Sequence, residues 1–513
     1  MRAASFTAPV ASPRPKGRVL LSARWVVGHR SGRHCLIENG QVVFEDGEVI
    51  FVGRDFSGPV ADRRDFGNAL IGPGFVDLDA LSDLDTTILA FDNQPAWKKG
   101  RVWPRSYIDR GPYEMYTREE LAFQKTYAFT QLIRNGITTA LPIASLFYRA
   151  WGETVEEFSD AAHAAAGLGL RVYLGPAYRT GNQVVDDDGK ISTYYEEERG
   201  LAELAAAIDF AANIEGSAGG LVRAMLSPDR IETCTPELLR RTAAASQDLD
   251  IPVRQHCCQS KIEYDLVLEQ YGMSPPEWMA SLNYLSERSL LPHGTFVSGS
   301  RHIDRPGRDL EIIRDSGASL VHCPLVSGRH GNTIDHFGRY RSLGLNIGLG
   351  TDTAPPDMIM NMQAGMMLTR VTAGTVGAVR CEDYYDAATI SGANALRRPD
   401  LGRLQPGSRA DITVFDLDRP HLGQVIDPIQ TMMLSGHGRD FSTVVIDGRF
   451  VMEGHIIYGH DESEDTRRAQ IQFEGLMAKY PERTHGHPRA GTIFSSSYPV
   501  DRAPQTPALW GEL

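Results

Sequence analysis

Short apolar runs that end in polar residues recur between about residues 71 and 398, where they alternate with helical segments. A helix is predicted over residues 119–135, because apolar residues recur there at helical spacing and Gly136 is suited to end it. This alternation predicts βα units that share a parallel sheet, either a barrel or a doubly wound sheet. In barrels the chemistry lies at the C-terminal ends of the strands. The runs with polar ends are 71–81, 251–256, 319–324 and 345–352.

Both ends of the chain have a different pattern, which is rich in short strands. Residues 19–53 contain apolar runs with hairpin signals at Asn39-Gly40 and Asp46-Gly47, and similar runs return at 410–415 and 443–451. We therefore predict an α/β protein with a (β/α)8 TIM-type barrel and a small composite β-sandwich domain built from both termini. The predicted bounds are a flexible arm at 1–18, the composite β domain at 19–70 and 402–458, the barrel catalytic domain at 71–401, and a C-terminal surface or dimerisation tail at 459–513.

The composition narrows the classes of partner. The chain has 65 Asp and Glu residues against 52 Lys and Arg residues, which gives a formal net charge of −13. This acidic balance argues against nucleic acid and against an anionic membrane surface. Six scattered cysteines without a Cys-x-x-Cys pair suit a reducing compartment, and no stretch resembles a membrane span or a signal peptide. A cytoplasmic protein with a small-molecule substrate is therefore predicted.

Residues 83–117 form a long predicted connection in which aromatic side chains alternate with cations. A loop of this length in a compact protein is usually functional. We expect a lid over a planar or anionic substrate, with Trp97 and Trp103 as candidate contacts. Packing of the loop on its own barrel or on a partner subunit is the alternative.

A set of motifs occurs along the chain in a fixed order. They are Pro73-Gly74-Phe75-Val76-Asp77, Gly136-Ile137-Thr138-Thr139, Val321-His322-Cys323-Pro324, Gly348-Leu349-Gly350-Thr351-Asp352 and the segment from Gly402 to Asp411. Together they resemble the amidohydrolase superfamily, and within it the triazine-hydrolase and guanine/cytosine-deaminase branch. The resemblance covers roughly residues 19–455. It implies a β/α barrel, a hydrolase that acts on carbon–nitrogen bonds, and a homodimer or larger homo-oligomer.

The chain departs from this family at positions that carry its chemistry. In the family, the first barrel strand ends in two metal-binding histidines, and here those positions are Asp79 and Leu81. Gln259 stands where the family has a glutamate that carries protons. The next strand is predicted at 295–299, so Gly299 stands where a water-orienting histidine is expected. The usual metal cage is therefore expected to be degenerate.

His256 and Asp352 match the family, and they are the candidates for activating water. Asp79 is the third catalytic candidate, as a metal ligand or as an assisting group. The lost ligands favour a metal-free site; the alternative is one divalent transition metal, zinc or iron, held by Asp79, His256 and Asp352. The candidate substrate contacts are Gln259, His322, Arg230, Trp97 and Trp103.

These residues predict a hydrolase that acts on a C–N bond other than a peptide bond, or on a related leaving group. The expected substrate is a small planar nitrogen heterocycle or a cyclic amide. One alternative is a metal-free barrel enzyme of another reaction class, such as lactone or C–C hydrolysis, decarboxylation or isomerisation. The other is a catalytically inactive relative that binds a ligand.

Overall fold

The computed structural model describes residues 12–84, 103–110, 116–144, 152–353, 356–483 and 496–501. The strands are β1 Val19–Arg30, β2 Arg33–Glu45, β3 Glu48–Gly53, β4 Asp62–Asp65, β5 Ala69–Pro73, β6 Phe75–Leu81, β7 Trp103–Pro104, β8 Ile137–Ile143, β9 Arg171–Leu174, β10 Ala177–Tyr178, β11 Gly181–Val185, β12 Ile191–Tyr195, β13 Val222–Ala224, β14 Ser227–Pro228, β15 Val253–Arg254, β16 Ser289–Pro292, β17 Ser319–His322, β18 Asn346–Leu349, β19 Ile412–Asp416, β20 Phe441–Ile446, β21 Arg449–Glu453 and β22 Ile456–Ile457. The helices are α1 Arg105–Arg110, α2 Arg118–Arg134, α3 Val155–Leu168, α4 Glu197–Ile214, α5 Ser217–Gly220, α6 Pro236–Leu249, α7 Lys261–Tyr271, α8 Pro275–Ser281, α9 Asp309–Ser316, α10 Pro324–Arg329, α11 Phe337–Ser342, α12 Met358–Ala373, α13 Cys381–Asp386, α14 Gly392–Ala395, α15 Pro428–Ser435 and α16 Glu462–Arg483.

Strands from both ends of the chain form one nine-stranded sheet. Its order is β22-β21-β20-β19-β5-β1-β2-β3, with β4 paired to β1. The two ends meet where β19 runs antiparallel to β5 and Ile412 pairs with Pro73. The predicted sharing of a sheet between both ends is thus confirmed. Because β5 leads directly into β6, this sheet anchors the start of the strand that carries Asp77 and Asp79.

One of the two predicted hairpins is wrong. β2 runs without a break through Asn39 and Gly40, and β1 pairs with it along this length, so the chain turns before β2 instead. Gly40 is needed for a close approach, since a Cβ at this position would lie 2.7 Å from Cγ2 of Val26 in β1. The other hairpin is confirmed, because Asp46 and Gly47 both have positive φ between β2 and β3.

The middle of the chain forms two four-stranded parallel sheets, ordered β13-β9-β8-β6 and β15-β16-β17-β18. This confirms the predicted parallel α/β architecture. The two sheets touch on two sides. Leu226, which follows β13, bridges to Val253 of β15, and Asp352, which follows β18, donates its N–H to the carbonyl of Asp79 in β6 at 2.8 Å. The second contact brings together the polar ends of β6 and β18.

Helix α2 shows why the predicted helix forms where it does. The Thr117 hydroxyl accepts the N–H of Glu120, and the Glu120 carboxylate accepts the N–H of Thr117, which makes a capping box. The helix ends just before Gly136, whose φ of 75° suits glycine. Lys125 forms a buried ion pair with Glu157 of α3 at 2.9 Å. The helix predicted over 119–135 is therefore confirmed.

Part of the predicted C-terminal tail is a helix that lies against α2. The guanidinium of Arg468 in α16 lies 4.1 Å from the centroid of the Phe123 ring. Gln472 donates its side-chain amide to the carbonyl of Glu120 at 3.1 Å. α16 therefore packs on the same unit as α2, and a role of the tail in dimerisation stays a prediction.

Candidate active site

Asp77 and Asp79 lie two residues apart in β6, and both side chains are fully buried. Asp77 joins β6 to the segment after β18: its Oδ2 accepts the hydroxyl of Thr351 at 2.5 Å, and its Oδ1 accepts the N–H of Thr351 at 3.0 Å. The same Oδ1 accepts the N–H of Asp79 at 3.2 Å. Burial raises the pKa of Asp77 to about 6 despite these bonds. The contacts of Asp77 therefore position the two strand ends.

Asp79 lies at the centre of the site. Its Oδ2 is 3.5 Å from Nε2 of His256 and 3.9 Å from Sγ of Cys323. Its Oδ1 is 3.4 Å from Nη1 of Arg254. Burial opposes ionisation, but the charges of His256 and Arg254 outweigh it and lower the pKa of Asp79 to about 2. Asp79 is therefore a buried carboxylate anion.

Arg254 is a buried cation that was not among the predicted site residues. Its side chain is 1% exposed, and Nη1 donates to the carbonyl of Leu141 at 2.6 Å while it faces Asp79. The sequence did contain a signal for it, because Arg254 stands two residues before the candidate His256 in a strand-like run. The pair of Arg254 and Asp79 places one positive and one negative charge inside the protein.

His293 corrects the prediction that Gly299 occupies the histidine position of the next strand. That strand is β16, Ser289–Pro292, and residues 295–299 lie in the loop after it. His293 follows the strand directly and is 2% exposed. The prediction was wrong because β16 has only four residues. The apolar run around Val297 has the pattern of a strand but is buried as part of a loop.

His293 and Asp352 complete the site. Nε2 of His293 lies 3.9 Å from Oδ2 of Asp352, and its ring centroid lies 5.4 Å from that of His256. Burial, and then the charge of His256, lowers the pKa of His293 to about 3, so this imidazole is neutral. Asp352 has a φ of 41°, a left-handed conformation that Asp and Asn tolerate. Burial, and then the charge of Asp79, raises the pKa of Asp352.

A family model described as the amidohydrolase family matches residues 96–451, which is more than half of the chain. The chain belongs to the amidohydrolase family. The match confirms the resemblance drawn from the motifs. It also includes the ends of β15, β16 and β18, where His256, His293 and Asp352 lie.

Curated proteins are similar to this amidohydrolase over most of its length. A 5-methylthioadenosine/S-adenosylhomocysteine deaminase from Natronomonas pharaonis is 25% identical over 442 residues, which cover 85% of this chain and 93% of the relative. The protein of the same name from Haloarcula marismortui is 27% identical over 466 residues, which cover 86% of this chain and 98% of the relative. The chain therefore spans the relatives almost completely.

Solved structures have the same fold. An adenosine deaminase from Xanthomonas campestris with bound zinc matches with a TM-score of 0.74 at 17% identity, covering 91% of this chain and 100% of the other. A mutant of atrazine chlorohydrolase TrzN from Arthrobacter aurescens TC1, complexed with zinc and atraton, matches with a TM-score of 0.72 at 20% identity. The match covers 88% of this chain and 99% of the other. At 17% and 20% identity these matches bear on the fold alone, and they show that this amidohydrolase has the same α/β fold.

The resemblance to the amidohydrolases implies a divalent metal, and the donor set of this chain fits one. One donor atom from each of Asp79, His256 and His293 lies within 4.8 Å of the others. Nε2 of His293 is buried and has no hydrogen-bond partner within the described ranges. Imidazole nitrogens and carboxylate oxygens are ligands that zinc and other first-row metals accept. Arg254 faces Oδ1 of Asp79, so Oδ2 is the oxygen turned toward His256.

Arg230 lies near this cluster, where it forms a β-bridge with His256, and Gln259 follows His256 by three residues. Oε1 of Gln259 is buried and makes no hydrogen bond to any described residue, while its N–H donates to Glu263 at 2.8 Å. The side chain of Arg230 is 44% exposed, and its Nη1 lies 3.9 Å from Oε1 of Glu232. Burial opposes its charge, but Glu232 and other nearby carboxylates, among them Asp352, raise the pKa of Arg230. The exposed guanidinium of Arg230 is thus accessible to a ligand.

The other predicted substrate contacts are His322, Trp97 and Trp103, and the structure describes the side chain of His322 only. His322 is 1% exposed, and its ring centroid lies 5.9 Å from that of Phe337 and 6.3 Å from that of Tyr384. Burial lowers the pKa of His322 to about 3, so it is a neutral ring in an aromatic cluster. Trp97 lies outside the described residues, and Trp103 is described only as part of the short strand β7.

Two buried carboxyl groups beside the site were not predicted. Glu263 accepts the N–H groups of Cys258 and Gln259, and burial raises its pKa to about 8. Oε1 of Glu232 accepts the side-chain amide of Gln183 at 2.5 Å, and burial raises the pKa of Glu232 as well. Glu263 thus holds the backbone of the segment that carries Gln259. The Ser260-x-x-Glu263 spacing of a helix start was the available signal.

Proposed function

We propose that this amidohydrolase hydrolyses a C–N bond other than a peptide bond, or displaces a related leaving group, on a small planar nitrogen heterocycle. The observation that carries the proposal is the cluster of Asp79, His256, His293 and Asp352 at the ends of parallel strands. The relatives are named as deaminases of 5-methylthioadenosine and S-adenosylhomocysteine, and a structural neighbour is named as an atrazine chlorohydrolase. These names support leaving-group displacement on a heterocycle as the reaction class.

The proposed scaffold is a closed (β/α)8 barrel made from β6, β8, β9, β13, β15, β16, β17 and β18. Contacts on two sides of the four-stranded sheets support closure, between Leu226 and Val253 and between Asp352 and Asp79. In this proposal the nine-stranded sheet belongs to a composite β-sandwich domain at 19–70 and 402–458, and the barrel occupies 71–401. The cluster then lies at the C-terminal mouth of the barrel.

Asp352 is the proposed base for the attacking water, in the ionised form that a divalent ion held beside it would favour against burial and the charge of Asp79. It takes a proton from water as the water oxygen bonds to the ring carbon, and it returns the proton to the leaving nitrogen as the C–N bond breaks. Its backbone N–H, held on the carbonyl of Asp79 at 2.8 Å, limits where its carboxylate can lie. His293 lies beside this carboxylate and His256 lies across the site, so both rings border the space that the water would occupy.

Asp79, His256, His293 and Asp352 are the residues that would hold a divalent ion. When bound, such an ion supplies positive charge that polarises the substrate and makes water more acidic. The neutral state of His293 suits a ligand, because a protonated imidazole has no lone pair to offer. Arg254 fixes the orientation of Asp79 from the opposite side.

Gln259 and Arg230 are the proposed substrate contacts. The unpartnered Oε1 of Gln259 accepts a hydrogen bond from an N–H group of the heterocycle, and Arg230 contacts a polar or anionic substituent. A lid that carries Trp97 and Trp103, a cytoplasmic location and a homo-oligomer stay predictions. Within the ranges that the structure covers, no helix is both long enough and apolar enough to cross a membrane.

A substrate panel tests this function. Metal-replete protein is incubated with adenosine-type nucleosides and their thioethers, guanine, cytosine, substituted triazines, cyclic amides and lactones. The release of ammonia or of another leaving group, and the opening of lactones, are measured. We expect steady turnover of one of these classes, and loss of that activity on treatment with a chelator. Turnover of lactones alone would contradict the proposal. Ligands that raise the melting temperature without any turnover would support an inactive relative instead.

Gln259→Glu is expected to raise kcat on the substrate that the panel identifies, by about tenfold or more, at the low end of the effect of a general acid–base group. The reason is that a carboxylate in this position can carry a proton, which an amide cannot. The measurement is kcat against pH. The control is Gln270→Glu, which makes the same change on the outer part of α7, and it should leave kcat unchanged. An unchanged or lower kcat for Gln259→Glu would count against a position next to the reacting atoms.

A further inference from the structure

A second cluster of metal-binding residue types lies on the surface around α15. His421 lies in the 3₁₀ turn Pro420–Leu422 before this helix, and Asp440 ends the 3₁₀ turn Gly438–Asp440 after it. His437 precedes the second turn. Nε2 of His421 and Nδ1 of His437 each lie 3.1 Å from Oδ2 of Asp440. The two imidazole rings stack with their centroids 4.5 Å apart and an interplanar angle of 25°.

The carboxylate at the centre of this cluster is held in place by the fold. The side chain of Asp440 is 5% exposed, and its Oδ2 also accepts the backbone N–H of His437 at 3.0 Å. The neighbouring Gly438 donates its N–H to Asp357, the residue that caps α12, at 2.9 Å. The turn that carries His437 and Asp440 is therefore fixed against the helix layer before any ligand arrives.

The three donor atoms of this cluster lie close together. Oδ2 of Asp440 accepts the backbone N–H of His437, and Nε2 of His421 lies within hydrogen-bond distance of the same oxygen. Nδ1 of His437 is equally close to it, at 3.1 Å. A neutral imidazole presents a lone pair at one of its two ring nitrogens, so a cation between the two nitrogens and the oxygen would receive a lone pair from each of the three side chains.

We propose that His421, His437 and Asp440 form a binding site for a divalent transition metal, with zinc as the expected ion. Their donor atoms lie within 4.8 Å of one another, and separations of 3.1 Å suit ligands that each lie about 2.0–2.2 Å from one ion. Two imidazoles and one carboxylate are a ligand set of such metals. The histidine side chains are 40% and 51% exposed, so water completes the coordination.

This site is separate from the active-site cluster and has a structural role. Its ligands come from the turns on either side of α15, so a bound ion closes the segment 421–440 into a loop. The closed segment abuts the start of α12 through Gly438 and Asp357. Zinc is therefore expected to stabilise the folded chain by binding it in preference to the unfolded chain.

Equilibrium dialysis against zinc at neutral pH tests the proposal on the full chain. The variants are His421→Gln and His437→Asn, which keep a nitrogen or oxygen near the position of the native ring nitrogen but lose the imidazole. The control is His163→Gln on α3, an exposed histidine whose Nδ1 contacts only the carbonyl of Ser159 among the contacts described. We expect each cluster variant to bind about one zinc ion fewer per chain than the wild type and the control, or to bind it at least about tenfold more weakly.

Melting temperature provides a readout that does not depend on activity. Zinc should raise the melting temperature of the wild type and of His163→Gln more than that of either cluster variant. All four proteins should melt alike in the presence of a chelator, because the substituted side chains are exposed. Equal zinc content in all four proteins, or an equal rise in melting temperature, would overturn the proposal and leave a cluster held by hydrogen bonds only.

Discussion

Asp352→Asn is expected to lower kcat on the substrate identified by the panel by about 10³-fold, within the range of a lost general base. Asn has nearly the size of Asp and tolerates the left-handed conformation at a φ of 41°. The backbone bond from residue 352 to the carbonyl of Asp79 is also kept, since it involves no side chain. The expected loss is therefore chemical, and KM should change much less than kcat.

The control for this variant is Asp265→Asn, which changes an exposed carboxylate of α7 that pairs with Lys261. It should retain full activity, because a surface pair contributes little to stability. The measurements are kcat, KM and the melting temperature of both variants. A kcat for Asp352→Asn within about threefold of the wild type, with an unchanged melting temperature, would remove Asp352 from the mechanism and shift the role of base to another group.

Much of the fold follows from local patterns. The helix α2 was predicted because its apolar spacing and Gly136 indicate the same element. The strands β17 and β18 were predicted because each is an apolar run with a polar end, at His322 and at Asp352. The composite sheet was predicted because strand-like runs occur at both ends of the chain. For the helix and the two strands, the signal lies within about twenty residues, whereas the composite sheet was predicted from two distant groups of such local signals.

The candidate site was only partly predictable, because its contacts join residues that are far apart in the chain. His256 and Asp352 were chosen by their match to a family pattern, and Asp79 because it stands where that pattern has a histidine. The structure brings their strand ends together. His293 was missed because a four-residue strand ended by proline has too little pattern to compete with the apolar run that follows it. Arg254 was missed because its one local signal, the position two residues before His256, does not indicate that its guanidinium faces Asp79.

The pair of Arg254 and Asp79 also explains how a carboxylate can stand where the family has a histidine. A neutral histidine in this position needs no counter-charge, whereas a buried carboxylate does. Arg254, at 1% exposure, provides that charge from inside the same cluster. The acid at position 79, which departs from the family pattern, therefore depends on the cation at position 254. This coupling can be measured as a free energy.

Arg254→Met is expected to lower the free energy of unfolding by about 3–5 kcal/mol, the usual effect of leaving one partner of a buried ion pair uncompensated. The second variant, Asp79→Asn, leaves Arg254 buried with the carbonyl of Leu141 as a remaining partner. The double variant Arg254→Met/Asp79→Asn should recover a large part of the loss, because neither buried charge is then unpaired. Urea unfolding of the wild type, both single variants and the double variant gives the coupling energy of this cycle.

Arg171 provides the matched control for this cycle. It is a buried arginine of similar exposure, at 2%, but it pairs with Asp411 at 3.0 Å instead of Asp79. Arg171→Met should destabilise the chain to a comparable degree, and adding Asp79→Asn should not rescue it, since the two sites share no partner. Equal rescue of both arginine variants by Asp79→Asn would mean that the effect is unspecific. A coupling energy near zero for Arg254 and Asp79 would mean that the acid at position 79 does not need this base, so the metal or another group must balance its charge.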